Sequence, residues 1–284
     1  MVQSIKTLAA AASILACLGL TSCKPVSVDP ATELSLHFAR FMNAVLHSSQ
    51  GDAEATRQAA DNAADFEALL GAVTHGGQYK NCTYTAASQG MQTTLAGLLQ
   101  NWQVFQQDNE AIQQNWELMS HFAEAANTIH QNEPRLLELA EQSASHVAID
   151  GGSVINIAAS GQLEMLVERF DKSAIRILLE PRINPEVAFL LGKDSNQIHD
   201  ITQALLNGST VLHTTPVKGA AHGTLSDFSN VFESEIAAKD FILNNLRQEL
   251  LVKTAVAELD ARSGAFTKQI QALAGSLPAP QECH

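Results

Sequence analysis

The chain has 284 residues, is 45% hydrophobic but only 5% aromatic, and carries a formal net charge of −13. That length allows one or two domains with a sizeable core, and the plentiful Ala, Leu, Gln and Asn favour helices over sheets. The acidic balance excludes counterion-driven binding to nucleic acid and bulk attraction to anionic lipid.

The first 22 residues have the pattern of an export signal: Lys6, an apolar stretch from Leu8 to Leu20, then Leu20-Thr21-Ser22-Cys23. About 13 apolar residues are too few to span a bilayer, which takes roughly 20. Leu-Thr-Ser-Cys resembles the bacterial lipobox, so Cys23 is expected to carry lipid and to open the mature chain, with 23–30 as a tether. The alternative is an ordinary cleaved signal with a chance Cys. Lys24, rather than Asp, resembles the signal for passage to the outer membrane. The expectation is a lipid-anchored protein of the cell envelope, on the outer membrane and facing the periplasm, held to the membrane only by the lipid on Cys23.

From 31 to 73 the apolar positions Leu34, Phe38, Phe41, Val45, Phe66, Leu69 and Val73 predict one helix, stopped by Gly76-Gly77. Residues 78–90 read as a polar loop. From Leu95 to Ile129 the apolar residues Leu95, Leu98, Trp102, Phe105, Ile112, Trp116, Met119, Ala123, Ala126 and Ile129 step by threes and fours, with Asn109 as a polar interruption. This predicts an unbroken helix of roughly 50 Å, with a kink or restart at Pro134. A third helix is expected from Gly161, carrying Leu163, Leu166, Val167, Phe170, Ala174 and Ile177. It is interrupted at Pro181 and Pro185 and resumes to Gly208. After a second Gly-containing loop (208–223), the last helix is expected over 225–274, with a flexible tail at 276–284.

The two halves match at a nearly constant offset. Arg40-Phe41 corresponds to Arg169-Phe170, Gly76 to Gly208, Trp102 to Phe232 and Glu110-Ala111-Ile112 to Asp240-Phe241-Ile242. A steady offset through caps, aromatics and an Arg indicates two copies of a helical hairpin, about 31–147 and 161–275. The expected fold is therefore all-α: an elongated antiparallel helical bundle made of two repeated long helical hairpins.

Cys17 leaves with the signal, so Cys82 and Cys283 remain in an oxidising compartment. A disulfide between them and intermolecular pairing are both open. In a simple up-and-down bundle the two lie at opposite ends, and a nine-residue tail reaches at most roughly 30 Å. Pairing would require a different topology.

The residues resemble the periplasmic sensor regions of type IV pilus methyl-accepting chemotaxis receptors, the PilJ type. Asn101-Trp102 with Ala111-Ile112 and Pro134 is similar to that family's second helix. Leu190-Leu191-Gly192-Lys193-Asp194 through Leu205-Leu206-Asn207-Gly208 is similar to the end of its third, and Leu36 to Asn43, with Arg40, to the start of its first. Phe38-Ala39 stand where the family usually has Ser-Gln. The resemblance implies a ligand-sensing helical bundle that dimerises and binds a small anion. Relay would pass through a partner, a chemoreceptor or pilus protein, because no cytoplasmic signalling helices follow.

Arg40 and Arg169, at equivalent places in the repeats, are candidate anion clamps. The plainer alternative is an Arg that snorkels or pairs with Glu33 or Glu168. Asn109 is a candidate ligand contact, or a residue that fixes helix register. Ten histidines raise the question of metal, but Glu33/His37 and Glu117/His121 are spaced i, i+4, without the Glu-x-x-His pairs of di-iron bundles. Surface histidines are the expectation, with no metal and no cofactor. No Gly-x-Ser-x-Gly elbow or phosphate loop occurs. The sequence thus points to a non-enzymatic sensor or ligand-binding module. A helical scaffold that binds protein partners only is the second reading, and metal transfer through histidines the third.

Overall fold

A computed structural model describes residues 28–283; the leader, Cys23 and most of the tether lie outside them. The described residues form eight helices and three short strands: α1 (Pro30–Ser48), α2 (Ala53–His75), β1 (Gly77–Tyr79), β2 (Cys82–Tyr84), α3 (Gln89–Gln113), α4 (Trp116–Ile149), α5 (Val154–Leu179), α6 (Pro185–Asn207), α7 (Gly219–Asn244), α8 (Leu246–Gln271) and β3 (Glu282–Cys283). The class is all-α. No described helix is long and apolar enough to cross a membrane.

The helices start where short polar side chains satisfy their free amide groups. Asp29 caps α1, Asp52 caps α2, Ser153 caps α5 and Asn184 caps α6, each accepting from backbone N–H groups of the first turn. Pro30 and Pro185 sit at the first helical position, where a missing N–H is harmless. In α3 the buried residues Leu95, Leu98, Trp102, Phe105, Asn109 and Ile112 alternate steps of three and four, which defines one inner face.

Two separate cores form. One is shared by α1, α2, α3 and α8, where Phe38, Phe41, Phe66, Trp102, Phe105 and Phe266 cluster. Phe66 and Trp102 rings lie 4.3 Å apart, and Phe38 and Phe266 rings 4.7 Å. The other is shared by α4, α5, α6 and α7 and holds Phe122, Leu136, Phe170, Ile198, Phe228 and Phe232. The molecule is thus two four-helix bundles end to end. Three helices of each bundle come from one half of the chain and the fourth from the other: α4 crosses into the second bundle and α8 returns to the first.

The halves repeat in backbone detail. The helix ends at Gly76 (φ 76, ψ 161) and Gly208 (φ 80, ψ 152) have the same conformation. The bond Ala87 N–H to Val73 O recurs as Val217 N–H to Leu205 O. Asn115 and Asn245 share φ −109 and ψ 8, and their side chains donate to Ala111 O and Phe241 O.

Several expectations are corrected. The run 95–129 is not one helix, because Gln114 and Asn115 break it between α3 and α4. The last helix is broken likewise at Asn245. Its apolar seam continues across each break, which is why periodicity does not reveal it. The run 31–73 folds back at 49–52 into the antiparallel pair α1 and α2, with Gly51 at φ 88 providing the turn. Pro134 lies inside a continuous α4 rather than at a restart. The second half begins at Val154 rather than 161, so each copy holds four helices rather than one long hairpin.

The loop 78–90 contains a β-hairpin, and the tail is not loose. Strand β3 adds to β2 in the order β1-β2-β3, Leu277 is buried, and Cys82 and Cys283 form a disulfide. The return of α8 brings both cysteines to one end of the first bundle.

Candidate functional site

On α1 the core face is taken by Leu34, Phe38, Phe41 and Val45, so Arg40 and Asn43 fall on the outer side towards α2. Ala55 and Ala59 of α2 are buried, and their small side chains let the two helices close. Gln58 and Asn62, one turn apart, complete a shallow groove of about 490 Å³ lined by Ala39, Arg40, Asn43, Gln58 and Asn62. Arg40 is exposed rather than partly buried, and among the described residues it makes no ion pair or side-chain hydrogen bond. Asn62 Nδ2 donates to Gln58 O at 2.7 Å.

Arg169 occupies the equivalent place in the second bundle but is chemically committed. Its guanidinium donates through Nε and Nη2 to both oxygens of Asp194, a fully buried carboxylate. That hydrogen-bonded pairing pushes the Arg169 pKa up. Its partner is therefore neither Glu33 nor Glu168; Glu168 instead pairs with Lys172. Asp194 stands 132 residues after Asn62, the offset of the Gly76/Gly208 helix ends. One bundle thus neutralises its Arg with an aspartate, whereas the other sets its Arg beside an amide. Arg40 and Arg169 lie in different bundles and do not form one site.

Asn109 is buried inside the first bundle with its Oδ1 unpartnered, and it is not among the residues that line the Arg40 groove.

The histidines are not all superficial, which corrects the expectation of surface residues. His37 is buried, with Nε2 2.8 Å from the Tyr79 hydroxyl. Glu33 and Asp65 stand 3.8 and 3.7 Å from its ring nitrogens, and Lys80 lies 3.5 Å from each of those carboxylates. This cluster fastens the β-hairpin to α1 and α2, and burial pushes the Tyr79 hydroxyl pKa up. The i, i+4 spacing of Glu33 and His37 is the sequence signal for it. His121 pairs with Glu124 at 3.0 Å rather than with Glu117. Among the described residues no group of three or more His, Cys, Asp or Glu is arranged to hold a metal ion.

Sequence reasoning also missed Glu235, which is 1% exposed with both carboxylate oxygens unpartnered. Burial, with the nearby Asp171 adding to it, pushes its pKa up to about 8. Asp171 in turn meets His130 Nδ1 at 3.0 Å. The missed signal is positional. Glu235 aligns with Phe105 at the offset that pairs Trp102 with Phe232, and so sits at a core position.

Compared with known proteins, the chain matches no protein-family model and no curated sequence.

Proposed function

We propose that the protein is a non-enzymatic ligand-binding module of the cell envelope, carried on a lipid at Cys23, whose first bundle takes a small anion on Arg40. The observation behind this reading is the contrast between the two bundles: Arg169 is neutralised by Asp194, whereas Arg40 faces Asn62, Asn43 and Gln58. A guanidinium flanked by neutral amides offers charge and further donors to a carboxylate or inorganic oxyanion. The groove is open, so the ligand would be small and weakly held. The resemblance to PilJ-type sensor regions agrees with this reading and adds a chemoreceptor or pilus-related protein as the partner that relays occupancy.

The test is a thermal-shift titration with nitrate, phosphate and small carboxylates. A rise in melting temperature that Arg40→Ala removes is the expected result, by mass action. Asn62→Asp should remove it too, by giving Arg40 the partner Arg169 already has. No shift with any of these anions, or one unchanged in both variants, would overturn the anion reading.

A scaffold that binds protein partners only is the second reading, and it is favoured by exposed apolar side chains at the waist between the bundles. Leu179, Phe189, Leu250 and Leu251 are 50–66% exposed there. The aligned positions in the other half are Gln50, Arg57, Ser120 and His121.

A further inference from the structure

The second bundle contains, inside the same chain, the partner that the Arg40 groove lacks. Residues buried in both copies fix the alignment of the two helix pairs. Leu34, Phe41 and Val45 of α1 correspond to Leu163, Phe170 and Ala174 of α5, all at an offset of 129. Phe66, Leu69 and Val73 of α2 correspond to Ile198, Ile201 and Leu205 of α6, all at 132. The same offsets carry Arg40 onto Arg169 and Asn62 onto Asp194. Helices whose core faces keep register also direct their outer residues alike.

In the second bundle the guanidinium meets a carboxylate edge to edge. Arg169 Nε donates to Asp194 Oδ2, and Nη2 donates to Oδ1. Asp194 is fully buried, so two charge-assisted bonds hold its carboxylate out of water. In the first bundle Arg40 has no such acceptor among the described residues. Asn62 does not replace it, because its Nδ2 is engaged with Gln58 O of its own helix at 2.7 Å. Arg40 lines the open groove of about 490 Å³ instead.

We infer that the Arg40 groove takes the carboxylate of a small, singly charged organic acid, held by Nε and Nη2 as Asp194 is held by Arg169. This rests on the anion reading above and narrows it from anions in general to carboxylates. Asn43 and Gln58, both exposed, offer amides that donate and accept. They suit an acid that also carries a hydroxyl or an amide.

Charge limits the ligand further. Asp61 and Asp65 lie within one turn of Asn62, and the whole chain carries −13. Both penalise phosphate or a polycarboxylate more than a single carboxylate. Nitrate has the charge and the planarity, but it spreads that charge over three oxygens rather than two. Each of them accepts a weaker bond.

The test is a titration of the full chain with lactate, N-acetylglycine, nitrate and phosphate at constant ionic strength. It is followed by melting temperature and by the NMR signals of the arginine Nε–H groups. The two organic acids should raise the melting temperature with half-saturation at about 1–10 mM, as one guanidinium in an open groove gives. Nitrate and phosphate should bind at least about tenfold more weakly. At saturation the Arg40 Nε–H signal should move towards that of Arg169, whose Nε already donates to a carboxylate. A stronger response to lactate marks a free hydroxy acid, and a stronger one to N-acetylglycine marks the C-terminal carboxylate of a peptide.

Arg40→Lys keeps the charge but loses the two-pronged donor, and should weaken binding of the acids about tenfold. Arg40 is exposed, so the variant keeps its fold. Nitrate or phosphate binding as tightly as the acids, and lost in Arg40→Ala, would overturn the carboxylate assignment while the anion reading stands. No response to any of the four overturns both. Acids that bind Arg40→Lys undiminished, or that leave the Arg40 signal in place, would also overturn the inference.

Discussion

At the scale of single residues, Glu235 makes the sharpest prediction. Its folded-state pKa of about 8 lies above the ordinary 4.5, so the native state holds a proton that the unfolded chain has already released. Its contribution to stability is therefore full below pH 4.5, falls as pH rises from 4.5 to 8, and is gone above that. The loss amounts to at most on the order of 5 kcal/mol at 1.36 kcal/mol per unit. Glu235→Leu should flatten the slope, leaving the part that Glu249 contributes, and raise the melting temperature at pH 8 while changing little at pH 4. Denaturant unfolding at both pH values measures this, and a variant no more stable at pH 8 than the native chain would contradict it.

Arg40 and Arg169 differ at this scale too. Arg169→Ala leaves Asp194 buried without its cation and should cost about 3–5 kcal/mol. Arg40→Ala, on an exposed side chain with no ion partner, should cost within about 0.5 kcal/mol. Chemical unfolding of the two variants separates a structural Arg from one available to a ligand.

Among the elements, the waist is where the two bundles are tied. Lys253 of α8 donates to Leu178 O at 2.9 Å and Glu180 O at 2.6 Å, satisfying carbonyls at the end of α5. It also lies 3.2 Å from Glu249. Burial pushes the Glu249 pKa up and Lys253 opposes that shift. Lys253→Met should thus cost about 3–5 kcal/mol by stranding a buried carboxylate, and adding Glu249→Leu should recover much of it. A double-mutant cycle reads the coupling.

The opposite side of the waist depends on close approach instead. A Cβ on Gly51 would stand 2.7 Å from Met119 O, at a φ of 88 that side chains rarely adopt. Gly51→Ala should cost more than about 1 kcal/mol and loosen the α1–α2 turn from α4, seen as faster amide exchange there.

For the molecule as a whole, the return of α8 to the first bundle makes the Cys82–Cys283 link a long-range staple, with a sequence separation of 201. A loop of that size implies up to about 5 kcal/mol of stabilisation in the chain-entropy account. Reduction should lower the melting temperature, and Cys82→Ser should reproduce the effect. If reduction leaves the transition unmoved, the staple restrains little beyond the tail.

Much of this architecture is written locally. Helical class, the apolar seams of α3 and α4 and the offset linking Trp102 to Phe232 all rest on residues three or four apart, or on matching patterns, and are visible without coordinates. The sequence alone also marked Arg40 and Arg169 as equivalent. What only the tertiary structure decided is which helices share a core. A two-residue break such as Gln114-Asn115 leaves an apolar seam in phase while handing its continuation to another bundle, and no periodicity records the change of partner. From that single decision follows the meeting of Cys82 with Cys283. The two lie far apart in the chain and are brought close because four apolar faces bury one another more completely than any two.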